Sequence, residues 1–292
     1  MRHKTKWKVF IILLVVFTVV VINLYENLSV KVTKYVFDTG KLHEEFGGLR
    51  IVQLSDIHMI RSEEQSDKLY NKTLEQKPDV IAITGDLIDT DKYANKEYQE
   101  MTVSFCRRLC SIAPVYFVYG NHEIMLLDDP ENNLFKTRLE ANGVQILNNS
   151  CKMILKDGYE FNLLGIQDPA TLYKDAKYAF GNGSVDILND ITNELDRDNV
   201  SILFAHRPEL FSLYTDDFNI DVTLAGHAHG GQFRIPFTSI GLYAPNQGFF
   251  PQYSSGMYKS GGNIMIVNRG IGNSKIPFRI FNMPEIVVLD IR

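Results

Sequence analysis

LRIVQLSDIH, residues 49–58, opens as a short, largely apolar run and closes on a carboxylate and an imidazole. A run of that length bounded by turn-forming residues reads as a strand. Four later segments follow the same plan. DVIAIT (79–84) runs into GDLID, VYFVY (115–119) into GNHE, SILFA (201–205) into HRPE, and DVTLA (221–225) into GHAHGG. Helical stretches are expected over 63–77, 93–112, 131–142 and 185–196, and this alternation argues for α/β architecture. In open α/β sheets ligands bind at the carboxyl ends of strands, where loops converge while the strands stay packed. If the polar groups from Asp56 to His229 share one such edge, the whole stretch is a single domain.

A chain of 292 residues with 45% hydrophobic and 22% charged side chains has an ordinary globular composition. Its net charge is −5, and the cluster Arg2, Lys4, Lys6 and Lys8 leaves −9 for everything after residue 8. So acidic a body is a poor candidate for phosphate-backbone contacts, and no nucleic-acid partner is expected. The basic start runs into VFIILLVVFTVVVI (9–22), with Trp7 and Tyr25 placed as interfacial anchors. From Val9 to Tyr25 a helix rises roughly 25 Å, the short end of a bilayer span, and Lys8 can snorkel to extend it. A cleaved signal peptide and a buried core helix are the rival readings. Because NLYENLSV lacks a small-x-small site, an uncleaved anchor is expected, as a single-pass segment in the cell membrane. The four positive charges would keep the N-terminus cytoplasmic and put the body on the extracytoplasmic side. The expected division is a basic flank (1–8), an anchor (9–25), a linker with a lead-in strand (26–48) and a catalytic domain (49–292). VKVTKYVF (30–37) alternates like a half-exposed strand. Cys106, Cys110 and Cys151 form neither a disulfide framework nor a metal knuckle, and the first two, four apart on one helix face, are expected to pack in the core.

The histidines carry the functional signal. Of seven, His58, His122, His206, His227 and His229 fall at the ends of expected strands, whereas His3 and His43 sit in the basic flank and the linker. Any one of these motifs alone is weak; an Asp-x-His is usually a turn, and an Asn before a histidine commonly caps a helix. Together with Asp56, Asp86 and Asn121 they form an oxygen and nitrogen donor set without thiolate, suited to Mn, Zn or Fe. The set exceeds what one tetrahedral ion uses, and a carboxylate bridging two ions accounts for the surplus. Two metals about 3.5–4 Å apart hold and polarise a phosphate and generate hydroxide near neutral pH.

The ordered set DIH, GDLID, GNHE, a downstream AH and GHAH resembles the calcineurin-like metallophosphoesterase family, over residues 49 to about 290. The resemblance implies a four-layer α/β/β/α sandwich, here with an N-terminal transmembrane helix, and a site for two divalent metal ions. By motif, Asp56, His58 and His229 would bind the first ion, Asp86 would bridge, and Asn121, His206 and His227 would bind the second. His122 would stand off the metals as an electrostatic stabiliser or as general acid for the leaving oxygen. GHAHGGQFRIP and VNRGIGNSKIPFRIFNMPEIVVLDI are similar to the family's membrane-associated branch, which includes bacterial phosphodiesterases and one type of UDP-2,3-diacylglucosamine hydrolase. That branch implies a phosphorylated small-molecule or lipid-linked substrate. Some of its members carry a twin-arginine export signal, and MRHKTKWK has no Arg-Arg pair.

Several residues stay open on sequence alone. Asp89 reads as a partner orienting a ligand more than as a ligand, Glu123 as a structural hydrogen-bonder, and Arg269 as either a phosphate clamp or a turn residue. Residues 236–258 hold six aromatics that read as an apolar wall for a lipid-bearing substrate, as a patch meeting the bilayer, or as ordinary packing. Ala228 is expected to stay small so that phosphate can approach. Two rival functions remain: a metallopeptidase or amidase, which the absence of HExxH disfavours, and a non-catalytic metal-binding protein on the same scaffold, which an intact ligand set disfavours.

Overall fold

The computed structural model describes residues 2–43, 45–169, 179–193, 195–215, 218–273 and 276–292. In chain order the strands are β1 (Lys31–Phe37), β2 (Leu49–Leu54), β3 (Val80–Thr84), β4 (Val115–Val118), β5 (Val144–Ile146), β6 (Ser150–Lys156) and β7 (Tyr159–Gly165). After them come β8 (Val200–Phe204), β9 (Val222–Ala225), β10 (Tyr243–Ala244), β11 (Gly248–Phe249), β12 (Gly256–Ser260), β13 (Asn263–Val267) and β14 (Glu285–Ile291). The helices are α1 (Arg2–Leu28), α2 (Glu63–Glu75), α3 (Lys96–Cys110), α4 (Asn121–Ile124), α5 (Pro130–Ala141), α6 (Ala179–Thr192) and α7 (Phe211–Thr215).

Two six-stranded sheets face each other, in the orders β1-β14-β2-β3-β4-β5 and β12-β13-β9-β8-β7-β6. Their inner faces meet in one apolar layer, in which Ile51, Val80, Ala82, Val118, Val287 and Leu289 oppose Phe161, Leu163, Ile202, Phe204, Leu224 and Ile266. Neighbouring residues of the same strands point the other way. Val52, Leu54, Ile81, Ile83 and Val115 pack under α2, α3 and α5 through Leu69, Phe105, Cys106, Leu109, Phe135 and Leu139. On the second sheet Leu164 and Leu203 meet Leu188 of α6 and Tyr214 of α7. The central strands are therefore apolar at most positions on both faces, because helices cover one face and a second sheet the other; Gln53, Thr84, Ser201 and Thr223 are their buried polar exceptions. The result is the expected four-layer α/β/β/α sandwich, and Cys106 is buried in it as expected.

The helices start where their caps dictate. Ser62, Asn95 and Asp129 each accept a backbone N–H from the first turn of α2, α3 and α5, and Pro130 occupies a position with no N–H to lose. Helix α6 starts at Ala179, earlier than the expected 185, and carries Gly181 and Gly183, both poor helix formers; residue 194 of that expected helix lies outside the described residues. The N-terminal helix is longer than the apolar run. Its segment Lys6–Leu28, 23 residues whose most apolar 18-residue window has a mean hydropathy of 2.6, is long and apolar enough to cross a membrane, and none of that window is buried.

The lead-in segment joins the sheet. β1 pairs in parallel with β14 over its whole length, from Lys31 with Glu285 to Phe37 with Ile291. Val32 packs on the helix-covered face, and Tyr35 and Phe37 on the inter-sheet layer. Each of these half-buried side chains contributes on the order of 1 kcal/mol. A chain beginning at Ser29 is therefore expected to fold stably, whereas one beginning at Gly40 bares the edge of β14 and is expected to melt about 10 °C lower and to aggregate, as judged by thermal unfolding and size-exclusion chromatography.

Candidate metal centre and active-site cleft

The carboxyl ends of β2, β3, β4, β8 and β9 converge at one end of the sandwich. Beneath that edge Gln53, fully buried, donates from Nε2 to Thr84 Oγ1 of β3 (2.8 Å) and to the Ala225 carbonyl of β9 (2.9 Å), tying the two sheets together. Past the strand ends the backbone turns sharply. Asp56, His58, Asp86, His227 and His229 all have left-handed φ, between 46° and 64°. Such residues cost on the order of 1 kcal/mol each and persist where the surroundings over-determine them. Glycine supplies the close approaches. A Cβ on Gly226 would collide with the Ser55 hydroxyl and the Asp56 carboxylate, and one on Gly120 with Asp86.

Six largely buried side chains meet at the floor of a cleft. Asp56, His58, Asp86, His206, His227 and His229 are each at most 4% exposed. Asp56, His58, Asp86 and His229 bring ligand atoms within 4.8 Å of one another, and so do Asp86, His206 and His227, so that Asp86 belongs to both groups. His206 Nε2 lies 3.3 Å from Asp86 Oδ2, and His229 Nε2 lies 3.4 Å from Asp56 Oδ1. The His58 and His229 rings stack, with their Nε2 atoms 3.2 Å apart.

Hydrogen bonds around the cluster select tautomers. His206 Nδ1 donates to the Thr84 carbonyl at 2.8 Å, which turns the Nε2 lone pair inward. His227 Nε2 donates to Asn246 Oδ1 at 3.2 Å, leaving Nδ1 facing His206 Nε2. His122 is set the opposite way. Its Nδ1 accepts the Thr90 backbone N–H at 3.0 Å, so the remaining proton sits on Nε2, 3.9 Å from Asp86 Oδ2. Asp56 takes the Ser55 hydroxyl (2.7 Å) and the His227 N–H (3.1 Å).

Electrostatics divides the group. Burial drives the pKa of His58 down to about 4 and those of His227 and His229 well below the usual range, so these rings are neutral donors. Burial also opposes charge on Asp86 and His206, but their mutual attraction prevails, holding Asp86 well below the usual carboxylate range and His206 up at about 10, so that Nε2 carries a proton toward Asp86 until a cation takes its place and frees the lone pair. Burial lifts Asp56 to about 6 against the pull of His206.

Glu123 is the structural hydrogen-bonder of the edge. Its Oε2 accepts the N–H groups of Asp86 (3.0 Å) and Gly120 (2.8 Å), and Oε1 accepts that of Ile88 (2.9 Å). One buried carboxyl thus joins the loop after β3 to the loop after β4. Burial, with Asp86 nearby, raises its pKa to about 8.

A cleft of about 540 Å³ opens over the cluster, lined among others by Asp86, Asn121, His122, Arg207, His227 and Asn246. Asp89 lines it too but is tied to Lys92 and lies 3.6 Å from Arg61, outside both ligand groups. Arg269 turns away to Glu285. The aromatics of 236–258 divide: Tyr253 and Tyr258 pack on Phe211 and Met265, whereas Phe237, Tyr243, Phe249 and Phe250 are exposed. Ala228 departs from expectation. It is fully buried among Phe211, Ala225, Ala244, Met265 and Val267, so its small size serves packing and not phosphate approach. Sequence reasoning missed Asn246, Thr90 and Arg279, the last fully buried with Nη2 3.4 Å from His229 Nδ1. Asn246 lies in 236–258, a segment read only for its aromatics, and Thr90 meets His122 Nδ1 through its backbone N–H, with its hydroxyl 3.1 Å from the same nitrogen.

The residues fit metal ions. Asn121 Oδ1 is buried without a hydrogen-bond partner, and the facing His58 and His229 nitrogens stand about as far apart as two donors held at roughly 2.1 Å by one ion. A four-layer sandwich with such an Asp/His cluster at the meeting edges of its sheets defines a metal-dependent phosphoesterase. The chain belongs to the calcineurin-like phosphoesterase family, whose family model matches residues 49–231. The metallophosphoesterase YkuE of Bacillus subtilis is 28% identical over 267 residues, 90% of this chain and 86% of its own. Cj0846 of Campylobacter jejuni, also a metallophosphoesterase, is 32% identical over 248 residues, 84% of this chain and 59% of its own. The phosphodiesterase YaeI of Escherichia coli is 27% identical over 219 residues, 75% of this chain and 72% of its own.

Glu123→Ala strips the acceptor from three buried N–H groups, each worth about 1–3 kcal/mol. Its melting temperature is expected to fall by about 10 °C or more, and Glu123→Gln, which keeps one acceptor oxygen, to fall between. An unchanged melting curve for Glu123→Ala would remove Glu123 from this role.

Proposed function

We propose that the protein is a membrane-anchored, two-metal phosphohydrolase that cleaves phosphodiester or pyrophosphate bonds on the extracytoplasmic side of the cell membrane. The observation that carries this reading is the pair of buried ligand groups sharing Asp86 beneath His122. Asp56, His58 and His229 would hold one divalent ion and Asn121, His206 and His227 the other, with Asp86 available to both; Mn, Zn or Fe suits the donors. Bound there, the ions supply Lewis acidity toward a phosphoryl group and toward the attacking water.

The protein's own contribution is order and a proton. The Thr84 carbonyl and Asn246 keep His206 and His227 in the tautomers that offer a lone pair inward. His122, about a fifth exposed at the cleft wall, presents Nε2–H where a leaving oxygen or a non-bridging phosphate oxygen can accept it. The cleft has room for a phosphate with a substituent on either side, in keeping with a diester or pyrophosphate, and the relative YaeI bears the name phosphodiesterase. The basic flank before the apolar helix supports a cytoplasmic N-terminus. The division into flank (1–8), anchor (9–25), linker with strand (26–48) and catalytic domain (49–292) goes with this reading.

The purified full chain is expected to bind close to two Mn or Zn ions by elemental analysis and to hydrolyse bis-p-nitrophenyl phosphate. Asp86→Asn is expected to lower kcat by about a thousandfold or more; an undiminished rate would sink the mechanism. Asn246→Leu frees the His227 ring and is expected to weaken one of two metal-binding steps about 10- to 100-fold in calorimetric titration, leaving the other unchanged.

A further inference from the structure

The N-terminal helix leaves the fold at the end that carries the candidate metal centre. β14 begins at that end, because it runs antiparallel to β2 and Val287 pairs with Gln53, three residues before Asp56. β1 runs parallel to β14 and starts level with it, Lys31 opposite Glu285. Only Ser29 and Val30 separate β1 from α1.

The junction is bonded on several sides. Asn27 Nδ2 donates to the Arg279 carbonyl and Asn27 Oδ1 accepts the Arg279 N–H, both at 2.8 Å. Asn23 Oδ1 accepts the Phe281 N–H at 2.9 Å, and Lys68 Nζ donates to the Leu28 carbonyl at 2.7 Å. Asn23 directly follows Ile22, the last residue of the apolar run. The segment 279–281 therefore lies about one helical turn, roughly 5 Å, from where that run ends.

Beside this junction the surface is apolar. Ile235, Phe237, Ile240, Ile276 and Phe278 are all exposed, Phe237 completely. They are displayed on ordered backbone. Arg234 N–H donates to the Ile280 carbonyl (2.9 Å), Ile235 N–H to Ile240 (3.1 Å), and Gln232 Nε2 to the carbonyls of Ile276 (3.1 Å) and Phe278 (2.7 Å). Phe233 stacks on Phe278 with centroids 5.7 Å apart. The same segments adjoin the cleft, since Gly231 closes the turn begun at His229 and Asn273 lines the cleft wall. Exposed apolar side chains in such a cluster mark a surface that meets another phase or molecule.

We propose that the active-site end of the sandwich is seated on the bilayer, with the tip of the 235–240 turn and residues 276–278 entering the interfacial layer next to α1. The occupant is lipid because the patch is continuous with the helix that enters it: the residue bonded to Asn23 is three positions from Phe278. In this seating the cleft opens at the level of lipid headgroups, so a phosphate attached to a lipid reaches it without leaving the membrane. The inference rests on the membrane-anchor reading of α1.

The test uses the full chain in phosphatidylcholine/phosphatidylglycerol vesicles. Trp7, the single tryptophan, is first changed to Phe. Phe237→Trp then reports on the tip, and Leu155→Trp, exposed on β6 of the second sheet, serves as the control. The tip emission is expected to be blue-shifted and quenched about twofold when the acyl chains are brominated, while the control is unaffected. Tip emission that ignores bromine and responds to aqueous acrylamide as the control does overturns the seating. A blue shift without bromine quenching overturns it too, in favour of a second protein copy on the patch. Flotation of the vesicles separates the two levels: a chain that fails to float refutes the anchor and the seating together, and one that floats with an unquenched tip refutes the seating alone.

Discussion

Two carboxylates and four imidazoles, each nearly fully buried, are crowded into one small volume at the cleft floor, and that constraint organises this molecule. Buried ionisable groups are tolerated only when each finds a partner. Here they partner one another in part, through Asp86 and His206, while the Asn121 oxygen has no hydrogen-bond partner. The two sheets are brought to the same edge by Gln53, which serves strands of both, and the loops are brought together by Glu123, which collects three backbone N–H groups from two of them. Remove the need for that cluster and neither a buried glutamine between sheets nor a buried glutamate between loops has a reason to exist.

Second contacts convert the cluster from a set of donors into a directed one. Each of His122, His206 and His227 has one ring nitrogen occupied by a neighbour: a backbone N–H and a backbone carbonyl, whose roles are fixed, and the Asn246 amide oxygen. The first leaves a proton facing the cleft and the other two leave lone pairs facing inward. Chemically identical side chains thereby acquire opposite functions from neighbours 3 Å away.

The sandwich and its ligand candidates were legible because strand ends are punctuated: five apolar runs each give way at once to Asp, Asn or His, and only a shared sheet edge gathers so many ligating groups from segments so far apart in the chain. What was not legible depends on three-dimensional neighbours. Thr90 contributes a backbone N–H, and Asn246 reaches His227 across a loop. Ala228 sits between two histidines that face the cleft, yet its methyl group enters the apolar layer behind it, because a left-handed residue on either side turns it around. The strand at 31–37 alternates as a half-exposed strand should, but its pattern does not say which edge it joins; only the pairing with β14 does. Arg269, ambiguous in sequence, is drawn to Glu285 by an ion pair on the far side of the turn.

The left-handed backbone at Asp56, His58, Asp86, His227 and His229 carries a torsional cost at the strand ends. At each of these positions glycine would relieve the torsional cost that Asp or His bears, and would delete a buried polar group as well. At Asp56 and Asp86 the change would also leave the His227 and His122 N–H groups without their acceptors, which offsets the torsional relief. The five left-handed residues thus place the cost of the site's geometry in the backbone itself, at the strand ends and not in the packed layers.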